Sequence, residues 1–122
     1  MRRFVILEHD HPYLHWDLML EEESSLRTWR LENPPTTDVL IQATPLASHR
    51  LIYLEYEGPV SGDRGIVRRW DQGSYQLISH DETHWLFEML GQRSRGRACL
   101  ELRADHWIFL LQAITNGDGL NV

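Results

Sequence analysis

The chain has 122 residues, a formal net charge of −6, 42% hydrophobic residues and 25% charged residues. This composition is typical of one globular domain, and the acidic balance argues against sequence-independent binding to long nucleic acid, which needs a basic surface. The single cysteine excludes an internal disulfide. No apolar run approaches the roughly 18 residues of a membrane span, and the chain begins without a signal-peptide pattern. We therefore expect a cytoplasmic protein without a membrane partner.

Short strands make up most of the predicted elements. They cover residues 4–7, 14–20, 26–31, 49–57, 66–70, 75–79, 84–90, 97–102 and 107–113, whereas residues 38–48 are ambiguous and could hold a short helical turn. Turn-forming residues separate the strands, for example at 21–25, 71–73 and 104–105. Strands at such regular spacing predict a closed barrel or a sandwich. We expect one domain over residues 1–114 and a flexible tail over 115–122.

The stretch EHDHPYLHWDL gathers possible metal ligands. His15 and Asp17 are two residues apart on a predicted strand, so their side chains point to the same face. The preceding turn could fold His9 back beside His15. Two imidazoles and one carboxylate suit Mn²⁺, Fe²⁺ or Zn²⁺. The alternative is three polar surface residues near a turn, and the spacing alone leaves both open.

A second group of candidates lies further along the chain. His49 and Tyr53 are four residues apart, which on a strand also places them on one face. Such a pair could bind an oxyanion or transfer a proton, or it could be structural. Arg93, Arg95 and Arg97 flank a glycine and could contact a phosphate, although solvated positions at a hairpin explain them as well.

Ordered segments of the chain resemble a known family. The stretch FVILEHDHPYLHWDLMLE resembles the opening of the 3′-phosphoesterase domain of bacterial DNA ligase D, which has an apolar strand, His-Asp, a short turn, Leu-His, an aromatic residue and Asp-Leu. Further segments follow in the family's order: LRTWRLENPP, HRLIYLEYEG, VRRWDQGSY and LFEMLGQRSRGRACLELRADHWIFL. The resemblance extends over roughly residues 4–111.

The resemblance implies a mainly β protein, a compact antiparallel β-barrel with short flanking helical segments. It implies an Mn-dependent 3′-phosphoesterase-type hydrolase that removes a 3′-phosphate or a terminal ribonucleotide during DNA repair, with Zn²⁺ or Co²⁺ as other possible metals. Carried over by position, His9, His15 and Asp17 would be the metal ligands, and His49 would contact the scissile phosphate with Tyr53 beside it. The implied partners are 3′ ends of DNA or a primer–template, and a separate ligase or polymerase, since we expect a stand-alone member.

The chain departs from the family pattern at several polar positions. Met19 stands where the family has an arginine, Asn33 where it has a loop lysine, and Ile41 where a basic residue is expected. Leu7 and Ala47 replace a polar and an acidic residue. Much of the positive phosphate clamp is therefore missing, and the loss of one such donor can cost about 10²–10³ in rate.

Other arginines could replace the missing charge. The candidates in the sequence are Arg50, Arg64 and the cluster from Arg93 to Arg97. If none does, the chain could be a non-catalytic, divergent metal-binding module for a nucleic-acid end or a protein partner. A third hypothesis is a non-haem iron oxygenase, because two histidines and one carboxylate also form that facial triad; His84 and Arg93 would then complete the site.

Overall fold

The structure is a computed structural model that describes residues 1–114, so the predicted tail at 115–122 lies outside the described residues. The chain forms strands β1 (Arg2–His9), β2 (His15–Glu21), β3 (Leu26–Leu31), β4 (Ile41–His49), β5 (Gly58–Pro59), β6 (Ile66–His80), β7 (His84–Gly91), β8 (Arg95–Arg103) and β9 (His106–Gln112), with one 3₁₀ helix at Leu51–Leu54. Within residues 1–114, no helix is long and apolar enough to cross a membrane.

The strands close into an antiparallel barrel. The sheet order is β1-β2-β3-β4-β9-β8-β7-β6-β5, and β1 also pairs with β6, which closes a ring of eight strands and leaves the short β5 outside it. The prediction of a mainly β, antiparallel barrel is confirmed, and the barrel decides against the sandwich. In the described part of the chain, the flanking helical segment is the single 3₁₀ helix.

Alternate residues of the strands fill the barrel interior, because successive side chains on a strand point to opposite faces. On β2, for example, Leu18 and Leu20 point into this core. The large side chains of the interior cluster include Phe4, Ile6, Leu31, Phe87, Met89, Leu100 and Phe109. Because the apolar core occupies one face of every strand, the polar candidates on β2 must lie on the other.

A smaller apolar cluster lies on the outer face of the barrel. It comprises Val5, Leu7, Met19, Leu26, Leu54 and Val67, with Tyr53, Tyr56 and Val60 packed against it. Leu54 comes from the 3₁₀ helix, so the segment after β4 covers the outside of β1 and β2. The outer face of β2 is therefore buried rather than solvated, and Met19 is 1% exposed.

The structure settles the ambiguous segment 38–48 and contradicts the strand predicted at 49–57. Most of the ambiguous segment belongs to strand β4, which begins at Ile41. The strand predicted at 49–57 does not form, because His49 is the last residue of β4 and Leu51–Leu54 is a 3₁₀ helix. The apolar run of the helix resembles a buried strand, but only Leu54 of its four residues is buried. Tertiary packing of Leu54 on the outer cluster therefore overrides the local β pattern.

The two strands predicted at 66–70 and 75–79 are one continuous strand, β6. Asp71 looks like a turn residue, but its buried carboxylate instead accepts hydrogen bonds from the backbone N–H groups of Gln72, Gln92, Arg93 and Ser94 at 2.7–3.0 Å. Gly73 allows close strand packing, because a Cβ there would lie 2.1 Å from the carbonyl oxygen of Leu90. Both residues thus serve the neighbouring β7–β8 turn.

Candidate metal centre

The β1–β2 hairpin brings the three predicted metal ligands together. In its register His9 pairs directly with His15, and Leu7 pairs with Asp17. The imidazole rings of His9 and His15 have centroids 4.9 Å apart. All three side chains lie on the outer face of the barrel, as the i, i+2 spacing of His15 and Asp17 predicts.

The group is compact and mostly buried. His15 is 0% exposed and Asp17 is 2% exposed. Nε2 of His15 lies 3.3 Å from each carboxylate oxygen of Asp17, and Nδ1 of His9 lies 3.5 Å from Oδ2. One ligating atom from each residue falls within 4.8 Å of the others, so the group could hold a metal ion.

Backbone carbonyls fix which nitrogen of each imidazole faces the carboxylate. Nδ1–H of His15 donates to the carbonyl of Tyr13 at 2.8 Å, and Nε2–H of His9 donates to the carbonyl of Arg64 at 2.8 Å. In the neutral rings, Nε2 of His15 and Nδ1 of His9 therefore carry lone pairs. Metal-binding histidines are commonly held in this way, by a carbonyl on the other ring nitrogen.

The donor set fits a divalent cation. Two nitrogen lone pairs face the carboxylate of Asp17, and its Oδ1 is buried without a hydrogen-bond partner among the described residues. Buried lone pairs that face each other repel unless a proton or a cation lies between them. A divalent ion would satisfy all three groups at once, and a mixed nitrogen and oxygen set suits such ions.

The pKa values reflect the same attraction between the groups. A hydrogen bond to Asp17 raises the pKa of His9 above its ordinary value of 6.5, although burial opposes this. Burial raises the pKa of Asp17, but interactions with the imidazoles of His15 and His9 outweigh it and leave that pKa below its ordinary 3.8. The metal-free centre therefore favours protonated His9 beside ionised Asp17.

Two of the three ligand candidates, His9 and Asp17, line a pocket of about 250 Å³ that is also lined by His49 and Tyr53. His49 ends β4 and Tyr53 lies in the 3₁₀ helix, yet their rings meet edge to face with centroids 5.8 Å apart. Nδ1–H of His49 donates to the carbonyl of Ala47 at 3.0 Å. The helix thus brings together the two residues that the predicted strand would also have placed on one face.

Two arginines line the pocket, and the sequence analysis named only one of them. Arg64, one of three suggested replacements for the missing charge, lines the pocket, and so does Arg30, which the sequence did not single out. Arg30 lies directly across from Asp17 in the β2–β3 register. The signal that could have revealed it is this register, which follows from the short turn between β2 and β3.

Other candidates lie elsewhere. Arg50 precedes the 3₁₀ helix and does not line the pocket. Arg93 lies over the ring of Trp70 at 4.8 Å, and Arg97 forms an ion pair with Glu88 at 2.8 Å. His84 contacts Asp81 at 3.1 Å and is not part of the pocket, so the geometry does not favour the iron oxygenase hypothesis.

The chain is similar to known proteins over most of its length. The profile of the DNA Ligase D 3′-phosphoesterase domain matches residues 7–108. The chain belongs to this family. It is 33% identical over 115 residues to the multifunctional non-homologous end joining protein LigD of Mycobacterium bovis, and 27% identical over 105 residues to the LigD of Pseudomonas aeruginosa.

These relatives are much longer proteins. The matches cover 86% and 78% of this chain but only 15% and 12% of the Mycobacterium bovis and Pseudomonas aeruginosa proteins. A LigD described as a DNA repair protein, from Mycobacterium tuberculosis, is also 33% identical over 86% of the chain. The chain therefore spans only a small part of the length of these relatives.

Proposed function

We propose that the chain is a divalent-metal-dependent phosphoesterase that acts on 3′ ends of DNA and removes a 3′-phosphate or a terminal ribonucleotide. The observation that carries this proposal is the shared pocket. His9, Asp17, His49 and Tyr53 all line it, and buried His15 lies against Asp17. Membership of the 3′-phosphoesterase family supports the substrate class.

In this proposal His9, His15 and Asp17 hold the metal through Nδ1, Nε2 and the carboxylate. Mn²⁺ is the expected ion, and Zn²⁺ or Co²⁺ would also accept this donor set. When bound, such an ion polarises a phosphoryl oxygen and lowers the pKa of a bound water. The carbonyls of Tyr13 and Arg64 hold the two rings in the tautomers that ligation needs.

His49 would act on the phosphate itself. Because its Nδ1–H is engaged with the carbonyl of Ala47, its Nε2 is the nitrogen available to the pocket. A protonated Nε2 would donate to a phosphoryl oxygen and could pass its proton to the leaving oxygen as a general acid. Tyr53 packs its ring against His49 and would hold that orientation.

The proposed substrates are 3′ ends at a break or on a primer–template. The small pocket, about 250 Å³, is suited to a terminal group rather than to a long duplex. The acidic net charge of −6 is compatible with recognition of an end rather than of a long phosphate backbone. Since the relatives are multifunctional end-joining proteins, a ligase or polymerase activity would act on the trimmed end.

Met19 favours a second candidate function. It is buried where the family pattern has an arginine, so the strand that carries Asp17 contributes no positive charge at that position. A divergent module that binds metal and a nucleic-acid end without catalysis would tolerate this loss. The two functions differ in turnover, not in metal binding.

The deciding experiment is an end-trimming assay. A labelled primer–template with a 3′-phosphate or one terminal ribonucleotide is incubated with the protein and Mn²⁺, beside the variants His9→Ala and His106→Ala. His106 is an exposed histidine at the start of β9 and serves as the matched control. Mn²⁺-dependent trimming that only His9→Ala abolishes is the expected result. Absence of trimming by a protein that binds Mn²⁺ would favour the non-catalytic module.

A further inference from the structure

Two arginines reach the pocket from different elements, and neither comes from the position where the family pattern has one. Arg30 is on β3 and Arg64 is in the loop before β6. Within residues 1–114, neither forms an ion pair with a carboxylate, although Asp17 is the cross-strand partner of Arg30. Other arginines, such as Arg3 and Arg97, do form such pairs, at 2.7 and 2.8 Å.

Arg30 has donor groups that the described residues leave unfilled. Its Nε is buried without a hydrogen-bond partner among them, and its Nη1 is 3.5 Å from the hydroxyl of Tyr13, the outer limit of a hydrogen bond. The guanidinium lies over the Tyr13 ring, with its carbon 5.4 Å from the ring centroid, within the distance of a cation–π contact. A half-buried guanidinium with free donors is well suited to bind an anion in two-point fashion.

Arg64 is held in place by hydrogen bonds within its own loop. Its Nε donates to the carbonyl of Ser61 at 2.7 Å and its Nη2 to the Ser61 hydroxyl at 3.1 Å. Its own carbonyl accepts the hydrogen bond from His9, so the same residue positions a ligand candidate and presents a charge. The loop can approach this closely because residue 65 is glycine: a Cβ there would lie 2.2 Å from Oδ1 of Asp10.

The charge of the pocket differs from that of the molecule. Among the residues that line it, Asp17 is the single carboxylate, and Arg30 and Arg64 are both cationic. The whole chain, by contrast, carries −6. Two guanidinium groups around a pocket of this size match one phosphate group and part of a sugar.

We propose that Arg30 and Arg64 form an anion clamp that binds the phosphate of the substrate, and that this clamp replaces the charge missing at Met19. The clamp rests on the proposed function for its biological ligand, a terminal phosphate ester. Binding of a phosphate group by the two guanidinium groups can be tested without any turnover of substrate.

The test measures phosphate binding. Inorganic phosphate is titrated into the metal-free and the Mn²⁺-loaded protein, and binding is followed by calorimetry and by NMR of the arginine Nε–Hε groups. Arg30→Gln and Arg64→Gln should each weaken phosphate binding by about tenfold or more, the value of one charge-assisted hydrogen bond. Arg30→Lys, which keeps the charge but loses the planar fork, should give an intermediate affinity.

Arg27→Gln is the matched control. Arg27 is on the same strand as Arg30 but on the other face, where it lies over Trp85 at 5.4 Å and 3.7 Å from Glu22. Its replacement should leave phosphate binding unchanged. Thermal unfolding and Mn²⁺ affinity are measured on every variant, so that loss of the clamp is distinguished from loss of the fold. Because Arg64 is exposed, Arg64→Gln should fold even if Arg30→Gln does not.

The outcomes separate the clamp from the proposed function. Wild-type affinity for phosphate in Arg30→Gln or in Arg64→Gln, or no phosphate binding by the unmodified protein, would overturn the clamp. Phosphate binding that both arginines control, in a protein that trims no 3′ end, would support the clamp and reject the proposed activity. Trimming by the unmodified protein that continues at full rate in Arg30→Gln would support the activity and overturn the clamp.

Discussion

Asp17 on β2 and Arg30 on β3 face each other directly across the sheet, and both line the same pocket. The carboxylate of Asp17 nevertheless lies against the imidazoles, 3.3 Å from Nε2 of His15 and 3.5 Å from Nδ1 of His9, and among the described residues it forms no ion pair with Arg30. The carboxylate is thereby directed to the two imidazoles, and the guanidinium stays available. This division places the proposed metal ligands and the proposed anion clamp side by side on the outer face of the barrel.

Replacement of His15 should remove metal binding. His15→Ala deletes a fully buried imidazole that we propose as a metal ligand, so Mn²⁺ affinity should fall by more than the roughly 10–100-fold that loss of an outer-shell partner costs. Calorimetry or the Mn²⁺ electron paramagnetic resonance signal measures this, with His106→Ala as the control. Full Mn²⁺ occupancy in a folded His15→Ala protein would remove His15 from the ligand set.

Replacement of His49 should slow catalysis without loss of the metal. His49→Ala should lower kcat on a 3′-phosphate substrate by about 10²–10⁴, while Mn²⁺ affinity stays unchanged, because His49 is not within the ligand group. Tyr53→Phe keeps the ring contact with His49 and should have a smaller effect. Steady-state kinetics on the two variants checks this, and an unchanged kcat in His49→Ala would exclude a catalytic role.

Gly65 should be required for the geometry of the centre. Gly65 and Gly62 have positive φ angles of 79° and 74°, so replacement of either by alanine costs about 1 kcal/mol in backbone strain. Only at Gly65 would the new Cβ also clash, with Asp10 and His11, which should cost about 1–3 kcal/mol more. Denaturant unfolding of the two variants compares these free energies.

The Gly65 variant should also bind Mn²⁺ less tightly. The loop would shift, and with it the carbonyl of Arg64 that fixes His9. Gly62→Ala, whose Cβ would meet only Nε of Arg64 at an ordinary 3.5 Å, should retain the affinity. Equal stability and equal Mn²⁺ affinity in the two variants would show that the close approach at Gly65 is not needed.

The stability of the metal-free protein should depend on pH through His9 and Asp17. The pKa of His9 is raised, so its stabilising contribution is fully present below the ordinary pKa of 6.5 and is lost as the pH rises through the folded-state pKa. The pKa of Asp17 is lowered, so its contribution is present above 3.8 and is lost as the pH falls through the folded-state value. Between these limits the ion pair stabilises the fold.

Thermal unfolding across this pH range checks the ion pair. The Tm of the metal-free protein should fall as the pH rises beyond 6.5, and His9→Gln should lose that part of the pH dependence. Mn²⁺ competes with the proton on His9, so Mn²⁺ affinity should rise over the same interval. The same pH dependence in His9→Gln would assign the transition to another group.

The proximity of His9, His15 and Asp17 was predictable from the sequence because its geometry is local. His15 and Asp17 share a face by strand parity, and a short hairpin leaves few registers that could place His9 elsewhere. The barrel was likewise predictable from short, regularly spaced strands, and the family resemblance decided between barrel and sandwich. These features depend on residues close together in the chain.

The remaining features depend on contacts between distant residues. Arg30 faces Asp17 only through the pairing of β3 with β2, and Arg64 reaches His9 only because Gly65 permits a close loop. Asp71 has the character of a turn residue, but it serves a turn about twenty residues away. Local patterns do not encode such pairings. For this reason the sequence analysis missed Arg30 and predicted two strands where the structure has the single strand β6.

The most direct test of the metal centre is anomalous diffraction from crystals grown with Mn²⁺ and measured at the manganese absorption edge. The predicted result is one strong anomalous peak within ligand distance of Nδ1 of His9, Nε2 of His15 and the carboxylate of Asp17, facing the pocket that holds His49. A crystal that contains Mn²⁺ elsewhere, with Nε2 of His15 still against the carboxylate of Asp17 and no peak between them, would contradict the assignment of this group as the metal centre.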